Sequence, residues 1–373
     1  MPQLNSQNRI DWIDEFKGFV LLLVCLFHVE QSFKCFDWGM LHASAFRMSA
    51  FFFISGVLFS TRRFPNFKSY FIHKSKVLLF PYLILSFLFL LLDPVIYNFE
   101  WFPRAPKMTI MTIRPVIENT WDYIYWNIAK IFVAGKSSIG SGPIWFVFTL
   151  YSISLLFYAV QKITKGKKWA IAIFATASLA AGWTLFQNHI RLPLGIERDM
   201  TTFFFFACGF LCKGVIQFLQ QRHFAILCAI SVISFVLYGY FEIPSPNFSI
   251  MNNDLGKSFI AFFASSAFGI SGLVSAFILF SKIPGIAPVR IAKGILRNIA
   301  RNGMIILAVH WWVLLVLRIV FKTELDKPGI VYLSILIVAS VTIASIPLFR
   351  CKLHRLIGKE RVSLRESLSI GNR

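Results

Sequence analysis

Phe16-Lys17-Gly18-Phe19-Val20-Leu21-Leu22-Leu23-Val24-Cys25-Leu26-Phe27-His28-Val29-Glu30-Gln31-Ser32-Phe33 is an almost unbroken apolar run that nevertheless carries a lysine, a histidine and a glutamate. A bilayer core of about 30 Å needs about 20 such residues in a helix, because only a helix satisfies its own backbone in lipid. Working outward, nine more segments have the same character: 43–60, 77–97, 143–160, 168–187, 201–219, 223–241, 259–281, 303–321 and 329–348. The chain reads as one all-α, polytopic membrane domain over residues 1–373, with about ten transmembrane helices. Segment 98–142 is a long loop, and within it 120–134 is apolar but short and aromatic, which predicts an interfacial or re-entrant helix.

Composition supports this reading. Hydrophobic residues make up 57% of the 373 positions and charged residues only 15%, too little polarity to coat soluble domains. That excludes an ordinary cytosolic enzyme and a disordered chain alike. The net charge of +21 does not indicate nucleic acid, since the basic residues fall in alternate short loops rather than on one soluble face. Most of the 38 lysines and arginines lie on the N-terminal side of the predicted spans, and the opposite loops hold most of the acids. By the positive-inside rule both termini are expected in the cytoplasm. The polar, acidic start is not expected to be a cleaved signal peptide. No cysteine or histidine grouping has zinc spacing, so no metal is expected.

Ionisable groups inside a span are costly and are functional candidates by default. Lys17 and His28 are three helical turns apart on one face, about 16 Å along the axis. Asp14 lies one turn before Lys17 and is placed to pair with it. His28 has two readings, a neutral imidazole bonded to a neighbouring helix or a proton acceptor at a buried reaction centre. In the second span Ser55-Gly56 follows a dense aromatic run, where small residues permit close approach of a helix or a ligand chain. Arg62, Arg63, Lys68, Lys74 and Lys76 come next; they signal topology, and they are also what a phosphate-rich ligand docking from the cytoplasm would use. Gly142-Pro143-Ile144-Trp145-Phe146 opens the fourth span, and His310 is a second histidine inside a span, expected to make a structural hydrogen bond.

Taken in order, Ile13-Asp14-x-x-Lys17-Gly18 running to His28, Phe51-Phe52-x-x-Ser55-Gly56, the basic stretch into Phe80-Pro81-Tyr82, the Gly142–Phe146 motif and the late His310 resemble the membrane acyltransferase 3 family, the polysaccharide O-acetyltransferases. The resemblance covers nearly the whole chain and is to the stand-alone members, without a hydrolase-like extension. It implies transfer of an acyl group, commonly acetyl from acetyl-CoA, to a hydroxyl of a surface or secreted glycan or glycolipid. It also implies a multi-pass protein of the bacterial plasma (inner) membrane, in contact with membrane lipids. His28 takes the catalytic role. Lys17, Arg62, Arg63, Lys74, Lys76, Ser55 and Gly56 are expected to bind the acyl-CoA, with Asp14, Trp145 and His310 in support.

Acyl transfer from a thioester to an alcohol needs a base for the hydroxyl and a donor for the developing oxyanion. The sequence has no G-x-S-x-G elbow, so direct transfer with His28 as base is the simpler expectation. The acceptor is expected to reach His28 through a vestibule formed by 98–142, with Trp101, Trp121 and Trp126, and by the Glu197-Arg198-Asp199 loop. A secondary transporter or glycan-lipid flippase is the rival reading, although no inverted repeat is evident.

Overall fold

The computed structural model describes residues 10–33, 37–62, 64, 66–98, 116–136, 139–243, 248–359 and 361. Among them the structure is helical, with a single isolated bridge between Ser249 and Asp254 as its only β pairing. The first half comprises α1 (Asp11–Ser32), α2 (Ser44–Val57), α3 (Phe67–Lys74), α4 (Phe80–Leu90), α5 (Asp93–Asn98), α6 (Thr120–Val133) and α7 (Trp145–Ile163). The second half comprises α8 (Lys168–Gln187), α9 (Ile196–Leu211), α10 (Lys213–Gln220), α11 (Phe224–Glu242), α12 (Phe259–Lys282), α13 (Ala287–Arg301), α14 (Gly303–Val320) and α15 (Pro328–Cys351).

Eight of the described helices are long and apolar enough to cross a membrane alone, and α9 with α10 forms a ninth candidate bent by 51°. Helix α1 is the tenth. Its charged residues dilute its hydropathy, but its 22 residues extend about 33 Å, enough to cross a core of about 30 Å. Every predicted span therefore has a helical counterpart. Leu336, Val232, Val236 and Tyr240 on α15 and α11 are exposed, as a lipid-facing surface requires.

Two stretches depart from the sequence reading. The third span was expected at 77–97, yet its helix starts at Phe67, because the Asn66 side chain accepts the Ser69 backbone N–H at 2.9 Å and caps it. Lys68, His73, Lys74 and Lys76 consequently sit on this helix instead of in a loop. Residues Ser75–Leu79 form a π turn between α3 and α4, which accommodates Pro81, a residue with no N–H for an ordinary helical bond. The second departure is the basic stretch after α12, which folds as the amphipathic helix α13. Its Arg297 bonds Asp11 at 2.8 Å and lies 3.7 Å from Glu15. Its Leu296 carbonyl oxygen lies 2.0 Å from where a Cβ on Gly18 would sit, so only glycine lets α13 lie on α1.

Helix α6 has 14 residues, about 21 Å, too short to span. Tyr123, Asn127 and Ile131 face inward while Trp121 and Tyr125 are exposed, the arrangement expected of an interfacial helix.

The helices α2 and α9 cross through paired glycines. A methyl on Gly56 would stand 1.8 Å from the Phe206 carbonyl oxygen, and one on Gly209 would stand 1.9 Å from that of Phe53. Such small-residue crossings let backbones touch in lipid, where no hydrophobic force joins helices. Gly209→Leu is expected to destabilise the detergent-purified protein by more than about 3 kcal/mol, because backbone rather than a side chain must move. Gly239→Ala, with nothing nearer than 3.9 Å to the new methyl, is expected to leave the melting temperature unchanged or slightly raised.

Candidate active site

His28 lies one turn before the end of α1, at the face of the bundle away from the chain's first residues; this is called the distal face below. Helix α14 brings His310 alongside. His28 Nδ1 and His310 Nε2 are 2.9 Å apart. Their ring planes differ by 9° with centroids 5.2 Å apart, too far for face-to-face contact, so the rings meet edge to edge as an in-plane hydrogen bond requires.

The direction of that bond follows from its far end. His310 Nδ1 is 2.6 Å from the Ile306 carbonyl oxygen, which can only accept. His310 therefore carries its proton on Nδ1 and presents a bare Nε2. That atom accepts from His28 Nδ1–H, which leaves His28 Nε2 unprotonated and available as a base. The ring is further fixed by Trp311, whose centroid is 4.8 Å from that of His28. Trp311 is in turn seated on Gly142, where a Cβ would lie 3.1 Å from the indole nitrogen. The glycine of the 142–146 motif thus serves the histidine through the indole.

A cavity of about 330 Å³ opens beside His28. Its floor is apolar, made by Leu21, Val24, Met48, Phe51 and Leu307, and its mouth is mixed, with the polar Gln31, Ser44, Ser249 and Asn252 beside Leu41, Ile250 and Met251. Trp145 forms part of the wall, its ring carrying the Arg198 guanidinium at 5.2 Å. Leu21 is one turn from Lys17, so the floor reaches to within about 6 Å, along the helix, of the lysine's level. Among the described residues the wall holds one fixed charge, Arg47, and no carboxylate.

The structure brings together His28, His310 and Trp145 and leaves the other predicted residues elsewhere. Lys17 is half-buried and Asp14 buried near the opposite end of α1. Lys74 is close enough to Lys17 to act on it electrostatically. Arg62 is exposed in the turn after α2, Lys76 is exposed beside the π turn, and Arg63 lies outside the described residues. Ser55 bonds back to the Phe51 carbonyl at 2.8 Å, and Gly56 is filled by the backbone of α9; neither lines the cavity.

The expected vestibule is corrected in one respect. Glu197, Arg198 and Asp199 do not form an open loop. They are buried in the first turn of α9, because Gly195, with φ of 73°, turns the chain into the helix there. Glu197 accepts the Leu192 N–H at 3.0 Å. The mouth is walled instead by residues 248–252 and by Leu41 and Ser44. Trp121 and Trp126 do not line it, and Trp101 lies outside the described residues. Asn252 at the rim accepts from Lys136 Nζ at 2.8 Å. Burial and the nearby positive charges of Arg198, Lys130 and Arg191 push the Lys136 ammonium down to about 7.

Arg47 escaped the sequence reading. It is buried at 6% exposure although it sits in an apolar span, and an arginine in such a place is itself a signal. Positive-inside counting had no use for it, since it lies at the distal end of its helix.

A model described as an acyltransferase domain matches residues 10–349, nearly the whole chain. The chain belongs to the acyltransferase 3 family. Comparison with curated proteins and with solved structures yields no match. A membrane acyltransferase needs a base in a site shielded from bulk water, and the half-buried His28 over an apolar floor has that form.

The tautomers derived above are directly observable. In protein labelled with ¹⁵N-histidine and reconstituted at neutral pH, both His28 and His310 are expected to show a protonated Nδ1 and an unprotonated Nε2. A His28 protonated on Nε2 would mean the relay runs the other way.

Proposed function

We propose that this protein is a membrane O-acyltransferase that moves an acetyl group from acetyl-CoA to a hydroxyl of a surface or secreted glycan or glycolipid. It acts in the plasma (inner) membrane of a bacterium, with both termini in the cytoplasm. The observation that carries this reading is the hydrogen-bonded chain Ile306 carbonyl–His310–His28 beside a cavity with an apolar floor and polar groups at its mouth.

His28 is the general base. It takes the proton of the acceptor hydroxyl as that oxygen attacks the thioester carbonyl, and returns a proton to the departing thiol, with no acyl-enzyme. His310 holds the tautomer that makes this possible, a larger part than a structural hydrogen bond alone. Lys17, Arg62, Arg63, Lys74 and Lys76 meet the CoA phosphates at the cytoplasmic face. Trp145 and Trp311 offer ring faces to a sugar at the distal mouth. The depth from Lys17 to His28, about 16 Å by helical rise, suits an extended pantetheine arm.

His28→Ala is expected to lower acetyl transfer by about 10²–10⁴-fold while the protein still inserts and purifies. His310→Ala should cost less than His28→Ala but well over tenfold, with its KM for acetyl-CoA unchanged. Turnover near wild type in folded His28→Ala would exclude this mechanism, and a wild-type protein that never uses acyl-CoA would return the transporter reading.

Neutralising Arg62 with Lys74, or Lys17 with Lys76, should raise the KM for acetyl-CoA more than it lowers kcat, because these contacts lie far from the breaking bond. The same variants should leave the KM for an acetyl-pantetheine thioester unchanged. In oriented vesicles acetyl-CoA should be consumed only from the Arg62 side. Equal losses with both donors, or donor use from the distal side, would remove this docking site.

A further inference from the structure

The mechanism above has a base but no partner for the oxyanion. We propose that Arg47 is that partner, its guanidinium receiving the negative charge that develops on the acyl oxygen; this rests on the acyl-transfer reading of the same cavity.

Position is the first argument. His28 is one turn from the distal end of α1, and Arg47 is one turn from the distal end of α2, so the two face the cavity at one depth. That depth is where the wall changes character, from Leu21, Val24 and Met48 below to Gln31 and Ser44 above. An acyl donor reaching up the floor from Lys17 and a polar acceptor entering at the rim meet at this boundary.

Availability is the second. Burying an arginine at 6% exposure is costly unless its donors are used. Arg47 spends one nitrogen on the Met40 carbonyl oxygen at 3.0 Å and lies 4.0 Å over the Phe27 ring. Tyr238 and Glu30 lie within its electrostatic reach, but the Tyr238 hydroxyl makes no hydrogen bond among the described residues and the Glu30 Oε2 atom is occupied by the backbone N–H groups of Trp38 and Met40 at 2.8 and 3.1 Å. No other hydrogen bond of the guanidinium is seen among the described residues, and Arg47 is the one cation lining the cavity there. A preorganised donor in such a site strengthens as charge develops and needs no reorganisation.

The step balances without a co-reactant. The acceptor O–H gives its proton to His28 Nε2 as the new C–O bond forms, and the carbonyl π pair moves to the oxygen beside Arg47. That pair then returns, the C–S bond breaks, and the sulfur takes the proton from His28. The products are the O-acyl ester and free CoA.

The test compares Arg47→Gln and Arg47→Lys in the purified full-length enzyme with acetyl-CoA. Glutamine keeps a neutral N–H donor and loses the cation with the remaining guanidinium donors; lysine keeps the cation. Arg47→Gln should lower kcat by about 10²–10³-fold, with both KM values within about threefold and the melting temperature unchanged. Arg47→Lys should recover a substantial part. A trifluoromethyl ketone analogue of acetyl-CoA, whose hydrate is tetrahedral and places an oxygen where the oxyanion would develop, should lose affinity for Arg47→Gln, while CoA itself binds as before. A kcat near wild type in Arg47→Gln would overturn the assignment. So would a loss confined to the acceptor KM, which would make Arg47 a reader of an anionic acceptor, or a parallel fall in stability and CoA binding, which would make it a strut. Wild-type protein without acyl transfer would instead bring down the parent reading, so the two failures are distinct.

Discussion

A bilayer offers no water to a charged side chain, and α1 carries Asp14, Glu15, Lys17 and His28 through it or into its edges. The helix must therefore be wrapped. It is packed by α2, α12, α13 and α14, and its surface is shaped for them: Gly18 admits the backbone of α13, and Leu21 lies against Gly303 at the start of α14. The same wrapping makes the site. Helix α14 brings the histidine that fixes the proton on His28, and α2 brings the arginine that faces the same space. A helix whose charged faces must be hidden from lipid is one around which a cavity can be closed.

The division of the cavity follows from its place in the membrane. Its floor is made where the helices are most apolar, and its rim where the chain leaves the bilayer through Leu41, Ser249 and Asn252. For the acyl transfer proposed above, a thioester arm and a sugar differ in polarity in the same direction, so the two substrates would be sorted by solvation before any specific contact forms and would meet at the one level both can occupy.

Much of this was legible in the sequence because it is local. The spans are runs of apolar residues, the Lys17–His28 face is a spacing on one helix, and the α6 segment betrays itself by being too short. What the sequence hid is non-local or depends on one bond. His28 meets His310 across 282 positions, and nothing in either segment names the other. The start of the third span turned on the Asn66 cap, and the charged 197–199 triplet went inside because Gly195 turns the chain there. Gly56, which has a ligand's look in sequence, is consumed by a helix crossing. The amphipathic period of α13 was readable but masked by its basic residues, which topology alone seemed to explain. Arg47 was visible and simply had no local pattern to claim it.

The clamp between α13 and α1 bears on the order in which the molecule can be assembled. Arg297 reaches Asp11 across 286 positions, so at a synthesis rate of about 5–20 residues per second α1 waits roughly 15–60 s for the cation that answers its acids. During that interval α2 and then α12 are available to pack against α1, but its carboxylates lack α13 and His28 lacks α14. Until α13 and the ninth span, α14, are made, the first span has only the earlier helices to pack against. The order of synthesis thus leaves the paired histidines incomplete until eight spans have already been threaded.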